Sequence, residues 1–209
     1  SWEAPMVASR KQQKAETRQR LMDAVAAELA TGRSFDTLSL REAAKLAGIA
    51  PTSFYRHFHR MEDLGLALIE EHGMALSALI ENVRGHVTGG KSLIRASVEA
   101  VYDFILTHQG LSRMIVQESL TPESPFRDAS GNLFLAMSSD LSEYLEHEAR
   151  TRGVSIAYPR LAANAMVSIM FTTGIALLNA PDADRDRHID AAVIKVKMIL
   201  RGAESLAAG

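Results

Sequence analysis

A run of hydrogen-bonding side chains follows a proline in the N-terminal third of the chain. The proline is Pro51, and the side chains that follow it are Thr52, Ser53, Tyr55, Arg56, His57 and Arg60. Hydroxyl groups can donate to and accept from the edges of DNA bases, and the methyl group of a threonine can contact thymine. Phenol, imidazole and guanidinium groups donate to phosphate oxygens, which fixes the register of a protein on DNA. These side-chain types predict contact with DNA.

Two short helices joined by a glycine turn are predicted to position these side chains. Ser39 and Glu42 have the spacing of a capping box, which begins a helix over Leu40–Ala47. Gly48 can adopt the left-handed conformation that ends a helix. A second helix over residues 51–57 then begins on a proline, where no free amide is needed. This pattern is a helix-turn-helix, whose second helix enters the major groove. The alternative is a helical hairpin with basic side chains on its surface.

The charge of the chain is unevenly distributed. The net charge is −2, but residues 1–60 contain ten Lys or Arg against six Asp or Glu, and the remainder contains thirteen against nineteen. A basic end suggests contact with phosphates, and we expect the basic first helix, over residues 10–31, to run past the DNA backbone. The predicted DNA contacts therefore also include Lys14, Arg18, Ser39 and Arg41.

Helical periodicity continues along the rest of the chain, and no run alternates as a strand does. Further helices are predicted over residues 62–87, 91–108, 111–120, 126–152, 159–180 and 185–207. The fold class is therefore all-α, with about nine helices. No apolar run approaches the roughly 20 residues that span a bilayer, and residues 161–180 are predicted to form a buried helix.

The stretch Leu40–Phe58 resembles the DNA-reading head of the TetR family of repressors. The most recognisable piece is Phe54-Tyr55-Arg56-His57-Phe58 followed by Glu62-Asp63-Leu64, and the likeness is strong over residues 14–70. The resemblance implies a homodimer that binds a palindromic operator and carries a C-terminal domain for ligand binding and dimerisation. We accordingly predict a disordered segment or leader over residues 1–9, a DNA-binding domain over 10–60 and a ligand-binding and dimerisation domain over 61–209.

The resemblance also assigns roles to single residues of the second helix. In the family, Tyr55 and His57 would contact phosphates, and the positions of Pro51, Thr52, Ser53 and Arg56 would face the groove. Many members carry a phosphate-contacting lysine where Met61 stands in this chain. Met61 cannot make that contact, and Arg60 is the predicted replacement.

The last two predicted helices have the pattern of a dimer surface. Apolar side chains recur along one face of the final helix, and its partner over residues 161–180 is apolar on more sides than one core needs. Two such helices from each chain would form a four-helix bundle. The predicted interface residues are Ile175, Ile189, Val193, Val196 and Leu200. The alternative is that these helices form the core of a monomer.

The middle helices are rich in methionine and aromatic side chains, which adapt to an irregular apolar cavity. The predicted ligand-binding residues are Phe104, Met114, Phe134, Met137, Met166, Met170 and Phe171. Ordinary core packing is the alternative for each of them. Residues 39–57 and 64–66 further resemble repressors of unsaturated fatty-acid biosynthesis of the FabR type. That resemblance implies a long-chain acyl thioester, on coenzyme A (acyl-CoA) or acyl carrier protein (acyl-ACP), as ligand. We predict that the ligand shifts the long helix over residues 62–87 and so changes the distance between the two reading helices of a dimer.

The sequence offers little support for an enzyme or a metal-binding protein. The chain has no cysteine, no H-E-x-x-H, no G-x-S-x-G and no glycine-rich phosphate loop, which argues against an enzyme and against a cofactor. Glu143 and His147 lie one helical turn apart, but a metal site needs further ligands. A helical adaptor that binds only protein is the remaining alternative. We expect a cytoplasmic protein without a membrane partner.

Overall fold

Local sequence signals set the ends of the first two helices in the computed structural model, which describes residues 9–86 and 92–208. Helix α1 (Arg10–Ala30) begins at a capping box formed by Ser9 and Gln12, and a glycine with φ +93° follows it. Helix α2 (Leu40–Leu46) begins at the predicted capping box, in which Ser39 Oγ accepts from the Glu42 amide at 3.2 Å. The predicted leader lies outside the described residues, apart from Ser9.

The second helix of the predicted motif is shorter than expected. Helix α3 (Pro51–Phe54) begins on the proline as predicted but ends before His57. The reason is that Arg56 and His57 donate three-residue turn bonds, to Ser53 and Phe54. Gly48, in the turn before α3, has φ +69°, the left-handed conformation that the sequence predicted.

Six longer helices complete the chain. They are α4 (Met61–His86), α5 (Leu93–Thr107), α6 (Gln109–Leu120), α7 (Arg127–Thr151), α8 (Pro159–Asn179) and α9 (Arg185–Ala208). Short 3-10 turns precede α2 and α9. The described residues thus form nine α-helices and no strand, which confirms the predicted all-α class. The predicted break at residues 88–90 lies outside the described residues.

One core holds the first four helices together and reaches into the later ones. Leu21, Val25, Phe54 and Leu64 are fully buried in it, and Leu111, Met114 and Ile115 of α6 belong to the same cluster. A β-carbon added at Gly110 would overlap with the backbone of Leu29. Glycine therefore lets α6 lie directly against α1. Below, residues 10–60 are called the head and residues 61–208 the body.

Helix α8 lies between α7 and α9 but is not a fully buried helix. It is long and apolar enough to cross a membrane by length and composition, a test that core helices of soluble proteins also pass. Only 39% of its most apolar 18-residue window is buried. Its exposed positions, among them Leu161, Thr172 and Ala176, recur along one face. The predicted burial is therefore correct for one face of α8 and wrong for the other.

Candidate DNA interface and ligand cavity

Helix α3 presents polar side chains to solvent because Phe54 anchors it. Phe54 is fully buried and packs against Phe58 with ring centroids 5.8 Å apart. Pro51, Thr52 and Arg56 are exposed, Ser53 is partly buried, and Tyr55 is 59% exposed. The predicted groove-facing residues Thr52 and Arg56 and the predicted phosphate-contacting Tyr55 are therefore accessible from outside.

Basic residues of the first helix lie beside this surface. Burial lowers the pKa of His57, and the positive charges of Lys14, Arg18 and Arg56 lower it further. The guanidinium of Arg18 lies 4.7 Å from the ring centre of Phe58. Three cations thus lie close enough to this imidazole to affect its charge, and a phosphate anion would stabilise such a set of cations. We call these four residues, Lys14, Arg18, Arg56 and His57, the basic cluster.

The remaining predicted DNA contacts lie at the edges of the motif. Ser39 and Arg41 are exposed at the start of α2. Arg60 is exposed and lies 3.8 Å from Asp63, a distance at which its charge stays available to a phosphate. Met61 has no charged group to offer DNA, and its half-buried side chain packs against the core of the head.

Arg33 has a role that the sequence did not reveal. Its guanidinium contacts Glu28 at 3.2 Å and Glu42 at 3.3 Å, linking α1 to the capping box of α2. The charge count of the N-terminal region included this arginine among the cations available to DNA. The structure instead places it in an ion-pair bridge within the head.

A cavity of about 400 Å³ lies within the body. Its wall is largely apolar and includes Met137, Met166 and Met170, three of the predicted ligand-binding residues. A second cavity of about 80 Å³ is lined by Phe134 and Phe171, two others. The two cavities share the side chains Val101, Met137, Val167 and Met170 as a common wall.

Phe104 and Met114 line neither cavity, contrary to the prediction. Phe104 lies between His72 and His108, with ring centroids 4.7 and 4.3 Å away. Met114 is buried in the core shared by the head and α6, because α6 turns that face toward α1. The alternative of ordinary core packing applies to both residues.

Charged side chains surround the outer end of the larger cavity. Arg84 of α4 contacts Asp140 at 2.9 Å and lies 4.1 Å from the ring centre of Tyr144. Arg152 contacts Glu204 at 3.0 Å. Together with Glu148, these residues place three carboxylates and two guanidinium groups at this end of the cavity. The sequence had indicated none of them as ligand-binding groups. Since both arginines are paired, this end is not a preformed anion site.

The predicted dimer residues lie inside the chain. Ile189, Val193 and Val196 are buried, with 5%, 3% and 8% of their surface exposed. Leu200 lines the larger cavity and Ile175 the smaller one. These side chains form the core of one chain because α9 packs against α5 and α8 on this face. The same helix exposes other apolar side chains, Ile194, Met198 and Leu206.

Glu143 and His147 are exposed on α7. Among the residues that the structure describes, no group of three or more His, Cys, Asp or Glu is placed to hold a metal ion.

Comparison with known proteins identifies the family. Residues 24–68 match the profile of bacterial regulatory proteins of the TetR family. A helix-turn-helix-type transcriptional regulator of Haemophilus influenzae is 35% identical over 199 residues, covering 95% of this chain and 96% of the relative. The chain belongs to the TetR family. It is a DNA-binding transcriptional regulator, and regulators of this family are not enzymes.

Solved structures share the fold of this TetR-family chain at low identity. A transcriptional regulator from Pseudomonas aeruginosa is 17% identical with a TM-score of 0.72, covering 96% of each chain. The fatty acid degradation regulator FadR from Bacillus halodurans is 16% identical with a TM-score of 0.66, covering 88% of this chain and 94% of that one. At this identity the likeness shows the fold alone.

Proposed function

We propose that this regulator binds a palindromic operator as a homodimer and represses transcription in the cytoplasm, and that a hydrophobic ligand in the body changes its DNA affinity. One observation carries the proposal. Helix α4 begins in the core of the head, with Leu64 and Leu68, and lines the larger cavity farther along, with Ser77 and Ile80. A ligand that moves α4 would therefore move the head.

The proposed DNA interface consists of α3 and the basic cluster. Thr52 and Ser53 would read base edges, while Tyr55 and the basic cluster would contact phosphates. The exposed side chains of Ser39, Arg41 and Arg60 would extend the phosphate contacts. Because one short reading helix rarely supplies enough specific affinity, two heads on one operator are expected.

The proposed dimer surface is the exposed face of α8 and α9 rather than the face predicted from sequence. Leu161 of α8 and Ile194 and Met198 of α9 are 67%, 57% and 66% exposed. An apolar strip of this kind is typical of an interface. Packing against the same strip of a second chain would form a four-helix bundle.

The proposed ligand is a long-chain acyl thioester, on acyl-CoA or acyl-ACP, through which the regulator would control fatty-acid synthesis. Two observations support an acyl chain: the cavity is apolar and bounded by adaptable methionines, and its volume is within the range of small-molecule sites. The name of the Bacillus halodurans neighbour agrees with a lipid ligand but comes from a protein that shares only the fold.

A different hydrophobic compound is the second candidate, and the outer end of the cavity favours it. Three carboxylates there oppose two arginines that are already paired. The phosphates of coenzyme A would have to displace Asp140 and Glu204 before either arginine became available. An uncharged compound would meet no such barrier.

The test is fluorescence anisotropy of labelled upstream DNA titrated with the protein, without ligand and with hexadecanoyl-CoA or octadecenoyl-CoA. We expect binding to this DNA but not to a shuffled sequence, and a shift of affinity with one acyl class. Specific binding without any acyl response would support the second candidate. Equal binding to both DNAs would overturn the operator proposal.

A further inference from the structure

Three buried polar side chains line the smaller cavity of the body. Ser112 of α6 is 6% exposed, Ser130 of α7 is 3% exposed and His72 of α4 is 7% exposed. The rest of the wall is apolar, with Leu76, Ile115 and other aliphatic or aromatic side chains. Polar groups from three different helices therefore meet one small apolar space.

Two of these groups have no partner within the part of the chain that the structure describes. In the described residues, Ser112 Oγ and Ser130 Oγ are buried and make no hydrogen bond. A buried hydroxyl without a partner costs about 1–3 kcal/mol, and such groups are rare in native proteins. Both hydroxyls would gain a partner if a molecule with hydrogen-bonding atoms occupied this cavity.

Among the described residues, no charged side chain lines the smaller cavity to neutralise an ion: the lining includes no Lys, Arg, Asp or Glu. Burial, together with the nearby His108, lowers the pKa of His72 to about 4, so this imidazole is neutral at physiological pH. A carboxylate or ammonium placed here would lose its hydration without gaining a counter-ion.

We infer that the smaller cavity binds the inner end of an amphipathic ligand whose terminal group is an uncharged hydrogen-bonding group, a hydroxyl or a carbonyl. Ser112 and Ser130 hold this terminal group. The apolar remainder of the ligand passes the shared wall of Val101, Met137, Val167 and Met170 into the larger cavity. This inference rests on the proposed function, because it specifies the ligand of the same body. It favours the second candidate, since an unsubstituted acyl chain ends in a methyl group that forms no hydrogen bond with either serine.

The dimensions of the site agree with this assignment. A volume of about 80 Å³ is small, less than three times the roughly 30 Å³ share of one water molecule, so it suits a terminal group and not a whole ligand. Ser112 also belongs to α6, which lies against α1 at Gly110. The terminal group of the ligand is thus held by the helix that touches the head.

The experiment measures ligand binding to the full chain without DNA. The neutral dye N-phenyl-1-naphthylamine is bound first and displaced by 1-dodecanol, by 1-fluorododecane or, at about pH 7.5, by dodecanoate. The test variant is Ser112→Ala combined with Ser130→Ala. The matched control is Ser138→Ala, since Ser138 of α7 is also buried and unpartnered in the described residues but lines neither cavity. Removing an unpartnered hydroxyl is compatible with folding.

We expect the double variant to bind 1-dodecanol more weakly, by about 2- to 10-fold per hydroxyl. Its affinity for 1-fluorododecane and for dodecanoate should not change, and Ser138→Ala should bind all three probes like the parent. An equal loss for alcohol and fluoroalkane, or no loss, would overturn the inference and leave the serines bound to water only. Failure of every probe to bind would instead count against the proposed ligand-binding function itself.

Discussion

Two histidines show how differently the head and the body are built. The pKa of His57 in the head is lowered by partial burial and by three cations around it, Lys14, Arg18 and Arg56. The pKa of His72 in the body is lowered to about 4 by deep burial, with a smaller contribution from the nearby His108. The first imidazole lies in an electropositive surface, and the second lies in an uncharged interior.

The difference indicates what each region can bind. An anion would relieve the mutual repulsion within the basic cluster, so the head is suited to phosphate. A neutral apolar molecule with one hydrogen-bonding group fits the body, because Ser112 and Ser130 offer hydroxyls and no charge. The polar groups of the proposed DNA interface thus point outward in the head, and those of the proposed ligand site point inward in the body.

The largest expected effect comes from placing a charge inside the body. Val193→Asp would bury an unpaired carboxylate at a position that is 3% exposed, and we expect it to lower the free energy of unfolding by more than about 4 kcal/mol. Urea denaturation followed by circular dichroism measures this. Ile194→Asp with Met198→Asp, on the exposed strip, should leave each chain folded but give monomers in light scattering. Monomers from the Val193 variant with unchanged stability would contradict the assignment of the two faces.

The second effect is a pH dependence of stability due to His72. The folded pKa of about 4 lies below the unfolded value of about 6.5, so between these values the unfolded chain binds more protons. The free energy of unfolding should therefore fall by up to about 3 kcal/mol as the pH drops from about 6.5 to 4. Urea titrations at several pH values should show that the free energy of unfolding changes less with pH in His72→Leu than in the parent. The variant His147→Leu, which removes an exposed histidine, should show the same pH dependence of the free energy of unfolding as the parent. The same pH dependence in all three proteins would contradict the assignment of His72 as a buried neutral imidazole.

The third effect concerns the basic cluster. Lys14→Ala with Arg56→Ala should weaken binding to operator and non-specific DNA alike, by about 100-fold, and should flatten the salt dependence, since two phosphate contacts are lost. Anisotropy titrations at several salt concentrations measure both quantities. Arg127→Ala, which removes an exposed cation of the body, is the control and should leave both unchanged. A loss confined to the operator would mean that the cluster reads bases.

The smallest effect tests the contact between head and body. Gly110→Ala places a methyl group against the backbone of Leu29, and we expect a loss of about 1–3 kcal/mol in the free energy of unfolding. Gly131→Ala, in α7, meets nothing within 4 Å and should stabilise by up to about 1 kcal/mol. If both variants changed the urea midpoint of unfolding equally, the close approach of α6 to α1 would not be required for stability.

Much of the head could be predicted because its signals are local. The capping box of Ser39 and Glu42 and the left-handed Gly48 depend on residues adjacent in sequence, and the structure contains both. The end of α3 was wrong by about one turn, since turn bonds after Phe54 compete with helical ones. The DNA contacts themselves stay a prediction, supported by their exposure.

The body was less predictable because its arrangement depends on distant helices. Helix α9 has apolar side chains on two faces, and only packing against α5 and α8 decides that Val193 lies inside and Ile194 outside. Ser112 and Ser130 look like surface residues in sequence, although Ser130 lies one turn before Phe134, on the inward side of α7. A serine within an apolar stripe was the available signal. The ligand therefore stays a proposal.

The most direct test of the account is whether the cavity and the head influence each other. Binding of 1-dodecanol and of acyl-CoA is measured by dye displacement, once with free protein and once with protein saturated with its upstream DNA. Because coupling is reciprocal, we predict that DNA changes the affinity of at least one of these ligands by about 5- to 150-fold. The same affinity with and without DNA, for every ligand that binds, would contradict regulation of DNA binding through the cavity.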